Sequence, residues 1–333
     1  MRVERQDRTK SAEGATAPFL RDMWYAVLES RRLGRKPVGV TRLGRRWVLW
    51  RDGQGQVVAQ DARCPHRGAD LGRGRVVEGG LECPYHGFRF AKDGACVSMP
   101  CEGRARPLRQ DMRVESVPVR EAHGLLWLWW GAPRQELPPV PWLEEAPADT
   151  RQACTGTLEW DVPFVQVMEG NLDIHHLPFA HRRMAWGTGP WLDPYEARLE
   201  EGDLIRTRGV LREDDGRPYS GRGGFALELS VRFPHLVLAR FGSRIVLFAT
   251  STPVDAEHTW TLLGYHVRLP LVGRLLAWLL VRAELRWVQP DDHLVLRHST
   301  PRPPDRSAHK LVRADAGIAL WHRLYERWRD THP

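Results

Sequence analysis

Two short stretches of the 333-residue chain concentrate side chains that bind metals. The first, CPHRGADLGRGRVVEGGLECPYHGF at 64 to 88, sets Cys64 and His66 one residue apart and Cys83 and His86 two apart, with sixteen residues between the pairs. Thiolate and imidazole donors both suit a structural zinc, but zinc ribbons and fingers space each pair by two to four residues or more, and Cys-x-His does not. One Cys and one His from each of two loops instead divide as a [2Fe–2S] cluster requires when two thiolates hold one iron and two imidazoles the other. Pro65 and Pro84 stiffen such loops, and Gly68 and Gly87 let backbone N–H groups approach the sulfides.

The second stretch, EGNLDIHHLPFAH at 169 to 181, places His175, His176 and His181 just after Asp173. Two imidazoles and one carboxylate on one side of an iron form the facial triad of non-haem Fe(II) oxygenases, which leaves positions open beside the metal. An isolated pair such as His176-x-x-x-x-His181 also arises from ordinary core or surface histidines. The downstream carboxylates in a suitable context are Asp291 and Asp292, in WVQPDDHLVLRHSTP.

Residues 64 to 88 closely resemble the cluster loops of the Rieske family. Respiratory-chain members carry a further cysteine in each loop; here Tyr85 stands in the second loop and none of residues 65 to 72 is Cys, which leaves the soluble ferredoxins and oxygenases. A ferredoxin would end near residue 130, yet two hundred residues follow. Within them LDIHHLPFAH, with Pro178 and Phe179, resembles the mononuclear iron motif of the terminal oxygenase (alpha) subunits of Rieske non-haem iron oxygenases. The resemblance runs from about Trp24 to Trp328. One departure is that Gly170 stands where the family pattern has Asn, which here comes one later as Asn171.

The resemblance implies a [2Fe–2S] Rieske cluster on Cys64, His66, Cys83 and His86, and a mononuclear non-haem Fe(II) on His176, His181 and a late Asp. Asp292 fits that place with Val295, Leu296 and Pro301; Asp291 fits with Leu294 and Val295 but lacks the proline. Asp173 is implied as a bridge carrying electrons from His86 of one subunit to His176 of the next in a head-to-tail homotrimer, with capping of a helix as the structural alternative. His175 has the wrong spacing and points elsewhere. O2 is the implied cosubstrate, and electrons come from NAD(P)H through a separate ferredoxin and/or ferredoxin reductase, since no Gly-rich dinucleotide fingerprint follows a strand here. The implied reaction hydroxylates or O-demethylates a bulky, hydrophobic alicyclic or polycyclic small molecule, by monooxygenation rather than dioxygenation. An electron carrier with no working mononuclear site is the rival.

The elements that must position these residues fall into two modules of an α+β chain. An N-terminal all-β Rieske domain is expected over 18–135 after a flexible leader at 1–17, then a proline-rich linker at 136–150 and a catalytic domain at 151–333. Alternating stretches between 197 and 268 predict an antiparallel, helix-grip-like sheet, and the period turns helical after Pro270. Pro178 is expected to interrupt the helix that carries the histidines. Phe233, Phe241, Phe248 and Trp278 are candidates for lining the substrate pocket. LLAWLLV at 275 to 281 is too short to span a bilayer and predicts a buried or amphipathic helix, with a membrane-surface helix as the alternative.

The net charge of +8 comes from 49 basic and 41 acidic residues. Residues 1 to 130 hold 24 basic against 15 acidic and the remainder 25 against 26, so the excess sits in the first module and favours an acidic donor protein docking there. Basic residues are nearly all Arg without aromatic-interleaved runs, which argues against nucleic acid. No apolar signal segment opens the sequence, and a cytoplasmic location is expected.

Overall fold

The computed structural model describes residues 19–103, 107–183, 188–301 and 308–332. The expected leader at 1–17 lies outside them. Strand β1 (Met23–Glu29) reads MWYAVLE and is buried at every position, because both of its faces are covered. Strands β2 (Val38–Arg42), β3 (Arg45–Arg51), β4 (Val57–Asp61) and β9 (Ser116–Val117) form one antiparallel sheet in the order β2-β3-β4-β9. A smaller sheet runs β5 (Arg75–Val77), β6 (Gly80–Glu82), β7 (Arg89–Phe90), β8 (Cys96–Ser98), and the second Cys/His loop joins β6 to β7. Strands β10 (Val119–Ala122) and β11 (Leu125–Trp130) complete a third sheet, in which β11 pairs with β1 from Met23↔Trp130 to Glu29↔Leu125.

The second module is a seven-stranded antiparallel sheet. Strands β13 (Trp191–Glu200), β14 (Leu204–Arg212), β15 (Phe225–Arg232), β16 (Leu236–Phe241), β17 (Ile245–Pro253) and β18 (Thr259–Val267) follow one another as a meander, whose last strand, β18, comes back beside the earlier β12 (Cys154–Trp160). Helices α1 (Phe164–Leu172) and α2 (Leu177–Ala180) precede the meander, while α3 (Gly273–Ala283), α4 (Gln289–Leu296) and α5 (Ala316–Thr331) follow it. A π-helical turn, Glu284–Val288, joins α3 to α4. Pro290 just beyond it has no N–H to give and would crowd the carbonyl of Arg286 in a regular helix, so a widened turn fits here.

The modules do not keep separate cores. Trp47 and Leu49 of β3 and Leu126 and Leu128 of β11 belong to one apolar cluster with Phe164, Met168, Ile205 and Trp321. On the other side of the β1/β11 sheet, Trp24, Trp127 and Trp129 pack with Phe248, Trp260 and Leu262. The cluster loops have a core of their own around Val48, Trp50, Leu71, Leu81, Phe88 and Phe90. One expectation needs correction. The helix breaks at Asp173 (φ −79°, ψ 121°), five residues before Pro178, which lies instead in the first turn of α2 where a missing N–H costs nothing.

Candidate metal centres

The two Cys/His loops repeat one backbone turn. The N–H of Cys64 donates to Ala69 O (2.9 Å) and that of Gly68 to Cys64 O (2.8 Å); in the second loop Cys83 donates to Phe88 O (2.8 Å) and Gly87 to Cys83 O (3.1 Å). Gly68 (φ +74°) and Gly87 (φ +72°) close the turns in the left-handed region, where a side chain would be strained. Gly74 holds the loops together, because a Cβ there would lie 2.2 Å from Glu82 O on the strand that leads into Cys83.

Within this frame the sulfurs point inward and the imidazoles outward. Cys64 and Cys83 are buried, whereas His66 and His86 are partly exposed. The two imidazole centroids are 4.6 Å apart; His66 stacks on Phe88 and His86 lies against Tyr85. Burial, with the neighbouring Cys83, pushes the Cys64 thiol up to about 11. A thiolate is unfavourable there until positive charge is supplied beside it, which metal does.

The second centre forms where α1 ends. His176 and His181 flank the four-residue helix α2, bringing their Nε2 atoms 3.2 Å apart. Asp292, from the first turn of α4, places Oδ1 3.0 Å from His181 Nε2 and 3.4 Å from His176 Nε2. One donor atom from each of these three residues lies within 4.8 Å of the others. Asp291 stands aside, with Oδ2 3.7 Å from His181 Nδ1.

The donor set fits a divalent cation. His181 is 2% exposed, and its Nδ1 has no hydrogen-bond partner among the described residues. Burial opposes a charge on His176, yet Asp173 and Asp292 outweigh it and hold its pKa up at about 10, so the site draws positive charge. Two imidazoles and a carboxylate converging from one side are the facial set expected for non-haem iron.

Asp173 accepts from the backbone N–H of His176 (3.2 Å) and pairs with His175 Nδ1 (2.9 Å), while its Oδ2 is 3.6 Å from His176 Nδ1. It therefore closes the turn and faces the back of a candidate ligand at once. Despite burial, contacts with His175 and His176 keep this carboxyl well below the usual carboxylate range. His175 turns away from the three donors, toward Asp173 and Asp315.

Other groups hold the ligand elements in place and were not among the expected site residues. Glu284, buried in the π-helical turn, accepts from Tyr265 Oη (2.9 Å) and Gln289 Nε2 (2.7 Å). Asp161 pairs with His293 and lies 3.3 Å from Arg297, clamping α4 from its other side. His322 Nε2 meets Glu169 Oε1 at 2.6 Å and ties α5 to α1. At Gly170 a Cβ would stand 3.1 Å from Leu296 Cδ1, so the departure from the family pattern lies where α1 and α4 come close. A sequence signal did exist for Glu284, the one acidic residue between Glu257 and Asp291.

The pocket candidates divide. Phe241 borders an apolar cluster of Leu227, Leu229 and Ala239 with Ile174 and Leu177, which flank the candidate ligands. Phe233 and Phe248 are core residues instead, Phe233 against Trp321 and Phe248 near Trp142. Trp278 is 47% exposed on the outside of α3 and lines nothing near the histidines. Alternation marks strand faces as covered or open but does not say what covers them.

Residues 23–118 match the Rieske [2Fe-2S] domain family. The chain is 37% identical over 165 residues to the 3-chlorobenzoate-3,4-dioxygenase oxygenase subunit of Comamonas testosteroni, covering 49% of this chain and 38% of that one. It is 34% identical over 168 residues to the dicamba O-demethylase oxygenase component of Stenotrophomonas maltophilia, covering 50% and 49%. The matches thus span half or less of these relatives' own length. The fold extends further: dicamba monooxygenase bound to dicamba superposes with a TM-score of 0.77 at 21% identity, over 94% of this chain and 98% of that structure. The chain thus carries a Rieske [2Fe-2S] domain over residues 23–118, resembles oxygenase components over about half its length, and shares the fold of dicamba monooxygenase.

Proposed function

We propose that the chain is the terminal oxygenase of a multicomponent Rieske system, taking electrons from a separate reductase or ferredoxin and using O2 to monooxygenate a bulky hydrophobic ring compound, alicyclic or polycyclic, by hydroxylation or O-demethylation. The observation that carries this reading is the meeting of His176, His181 and Asp292 in the module that follows the cluster domain. An electron carrier has no use for such a site. O-demethylation is the reaction of the related dicamba O-demethylase oxygenase component.

When bound, the cluster supplies single electrons and the mononuclear iron activates O2 beside the substrate. The buried Cys64 and Cys83 and the partly exposed His66 and His86 would hold the cluster, and the two imidazoles would be the groups nearest a docked donor protein. His176, His181 and Asp292 would hold the mononuclear iron, which would supply the activation of O2 beside the substrate. Ile174 and Leu177, beside these ligands, belong to an apolar cluster that would limit the access of water there. Asp173 orients His176 and is proposed as the link to His86 of a neighbouring subunit in a homotrimer.

Iron content and a single variant test the reading. The loaded wild type is expected to hold three irons per chain. His176→Ala is expected to keep the cluster's visible spectrum, hold two irons and form no product from a panel of ring substrates with a surrogate reductase. Two irons in the wild type would favour the electron carrier, and turnover by the variant would overturn the assignment.

A further inference from the structure

Helix α3 is built inside out for a helix whose only task is to fill a core. Its inner face is small: Gly273, Ala277 and Val281 are buried, and a Cβ on Gly273 would lie 2.3 Å from Val267 O. Opposite them on β12, a Cβ on Gly156 would meet Leu285 at 2.5 Å and Val281 at 3.1 Å. The helix is thus seated closely on the sheet through small residues, while its large apolar side chains, Leu275, Leu276, Trp278 and Leu279, face outward at 37–58% exposure. Leu271, just ahead, is fully exposed and adopts a left-handed backbone (φ +63°), an uncommon combination for a bulky residue.

The charges on this outer face have one sign. Arg274, Arg282 and Arg286 stand among the leucines, and Arg282 lies over the Trp278 ring at 4.9 Å. Glu284, the segment's one carboxylate, is buried on the inner side. Exposed Leu and Trp with interspersed Arg and no acidic group is the pattern of a helix that lies in a lipid interface, where the apolar side chains enter the acyl boundary and the guanidinium groups meet phosphate. No helix among the described residues is long and apolar enough to cross a membrane. A twofold contact with a second copy would bring the arginines face to face, and like charges oppose it.

We propose that the outer face of α3 docks the protein onto the surface of an anionic phospholipid bilayer. Leu271, Leu275, Trp278 and Leu279 insert, while Arg274, Arg282 and Arg286 give the preference for negative headgroups.

The test is flotation of the cluster-loaded full chain with vesicles of phosphatidylcholine alone or mixed with phosphatidylglycerol. Binding is expected to the mixed vesicles, falling at least about tenfold on pure phosphatidylcholine and again in high salt. The pair Leu275→Asp and Leu279→Asp, and separately the pair Arg282→Glu and Arg286→Glu, are expected to lower it by a similar factor with the visible spectrum unchanged. No flotation, or flotation indifferent to both pairs, would overturn the proposal. So would a change in the protein's mass in solution on Leu275→Asp and Leu279→Asp, which would show that a second copy covers this face.

Discussion

His235 Nε2 lies 2.7 Å from the carbonyl oxygen of Trp24, 211 residues away, and its Nδ1 lies 3.1 Å from Thr250 Oγ1. The imidazole is buried between β1 of the first module and β16 and β17 of the second. A carbonyl only accepts, so Nε2 carries the proton and Nδ1 accepts from the threonine, leaving a neutral ring with both nitrogens satisfied. The two modules are joined here by a polar contact within the apolar one.

Burial lowers the pKa of this histidine to about 4, against a partial opposing effect of its backbone contacts. The folded-state value is below the unfolded one of about 6.5, so the neutral ring's contribution is complete above that pH and is lost as pH falls toward 4, by up to about 3 kcal/mol. His235→Leu is expected to destabilise the cluster-loaded protein by about 2 kcal/mol at pH 7.5, since it leaves the Trp24 carbonyl unpaired. Below pH 5 the gap to wild type should narrow. Denaturant unfolding across that range measures it, and a gap independent of pH would contradict the coupling.

Asp291 and Asp292 are adjacent in sequence, but only Asp292 turns its carboxylate onto both Nε2 atoms. Asp292→Ala is therefore expected to drop iron from three to two per chain and abolish product formation. Asp291→Ala should keep the third iron and most of the activity. Iron analysis of the two purified variants distinguishes them, and the reverse pattern would move the ligand to Asp291.

The candidate ligands could be picked out in the sequence because their spacing is local: Cys64 and His66, Cys83 and His86, and His176 and His181 each sit on one loop or flank one short helix. The sheet was legible for the same reason, through alternation along single strands. What was hidden depends on approach across the chain. Neither Asp161 beneath His293 nor His322 on Glu169 has a sequence neighbour that marks it. Phe233 and Phe248 alternate like pocket residues yet meet Trp321 and Trp142. Trp278 is the converse, an apolar residue in an apolar run that the small inner face of α3 turns outward.

Glu284 is such a hidden partner. Burial raises its pKa, and hydrogen bonds from Gln289 and Tyr265 work the other way. Its two carboxylate oxygens fix the π-helical turn that delivers α4. Glu284→Leu leaves the Tyr265 hydroxyl buried without a partner and should cost about 2 kcal/mol of stability. Because α4 carries Asp292, iron should also be lost to a chelator about tenfold faster. Glu284→Gln can still pair with Tyr265 and should fall between the two. Thermal melts together with chelator kinetics check this; an iron site indifferent to Glu284→Leu would show that α4 is held by Asp161 alone.

Asp173 is half-buried, with its oxygens shared between His175 and the backbone and ring of His176. A cap for the turn needs only an acceptor, which an amide oxygen also supplies. A bridge between two metal centres needs the charge and the pairing to the ring. Asp173→Asn should therefore leave the visible spectrum and the three irons in place and change the melting temperature little, while product formation falls by about a hundredfold or more, as expected when a partner of a ligand histidine is altered. The separating measurement is the rate at which a chemically reduced cluster is reoxidised by O2 in the presence of substrate. Slow reoxidation with intact iron marks Asp173 as part of the electron path, whereas normal reoxidation with lost iron would mark it as a structural support for His176.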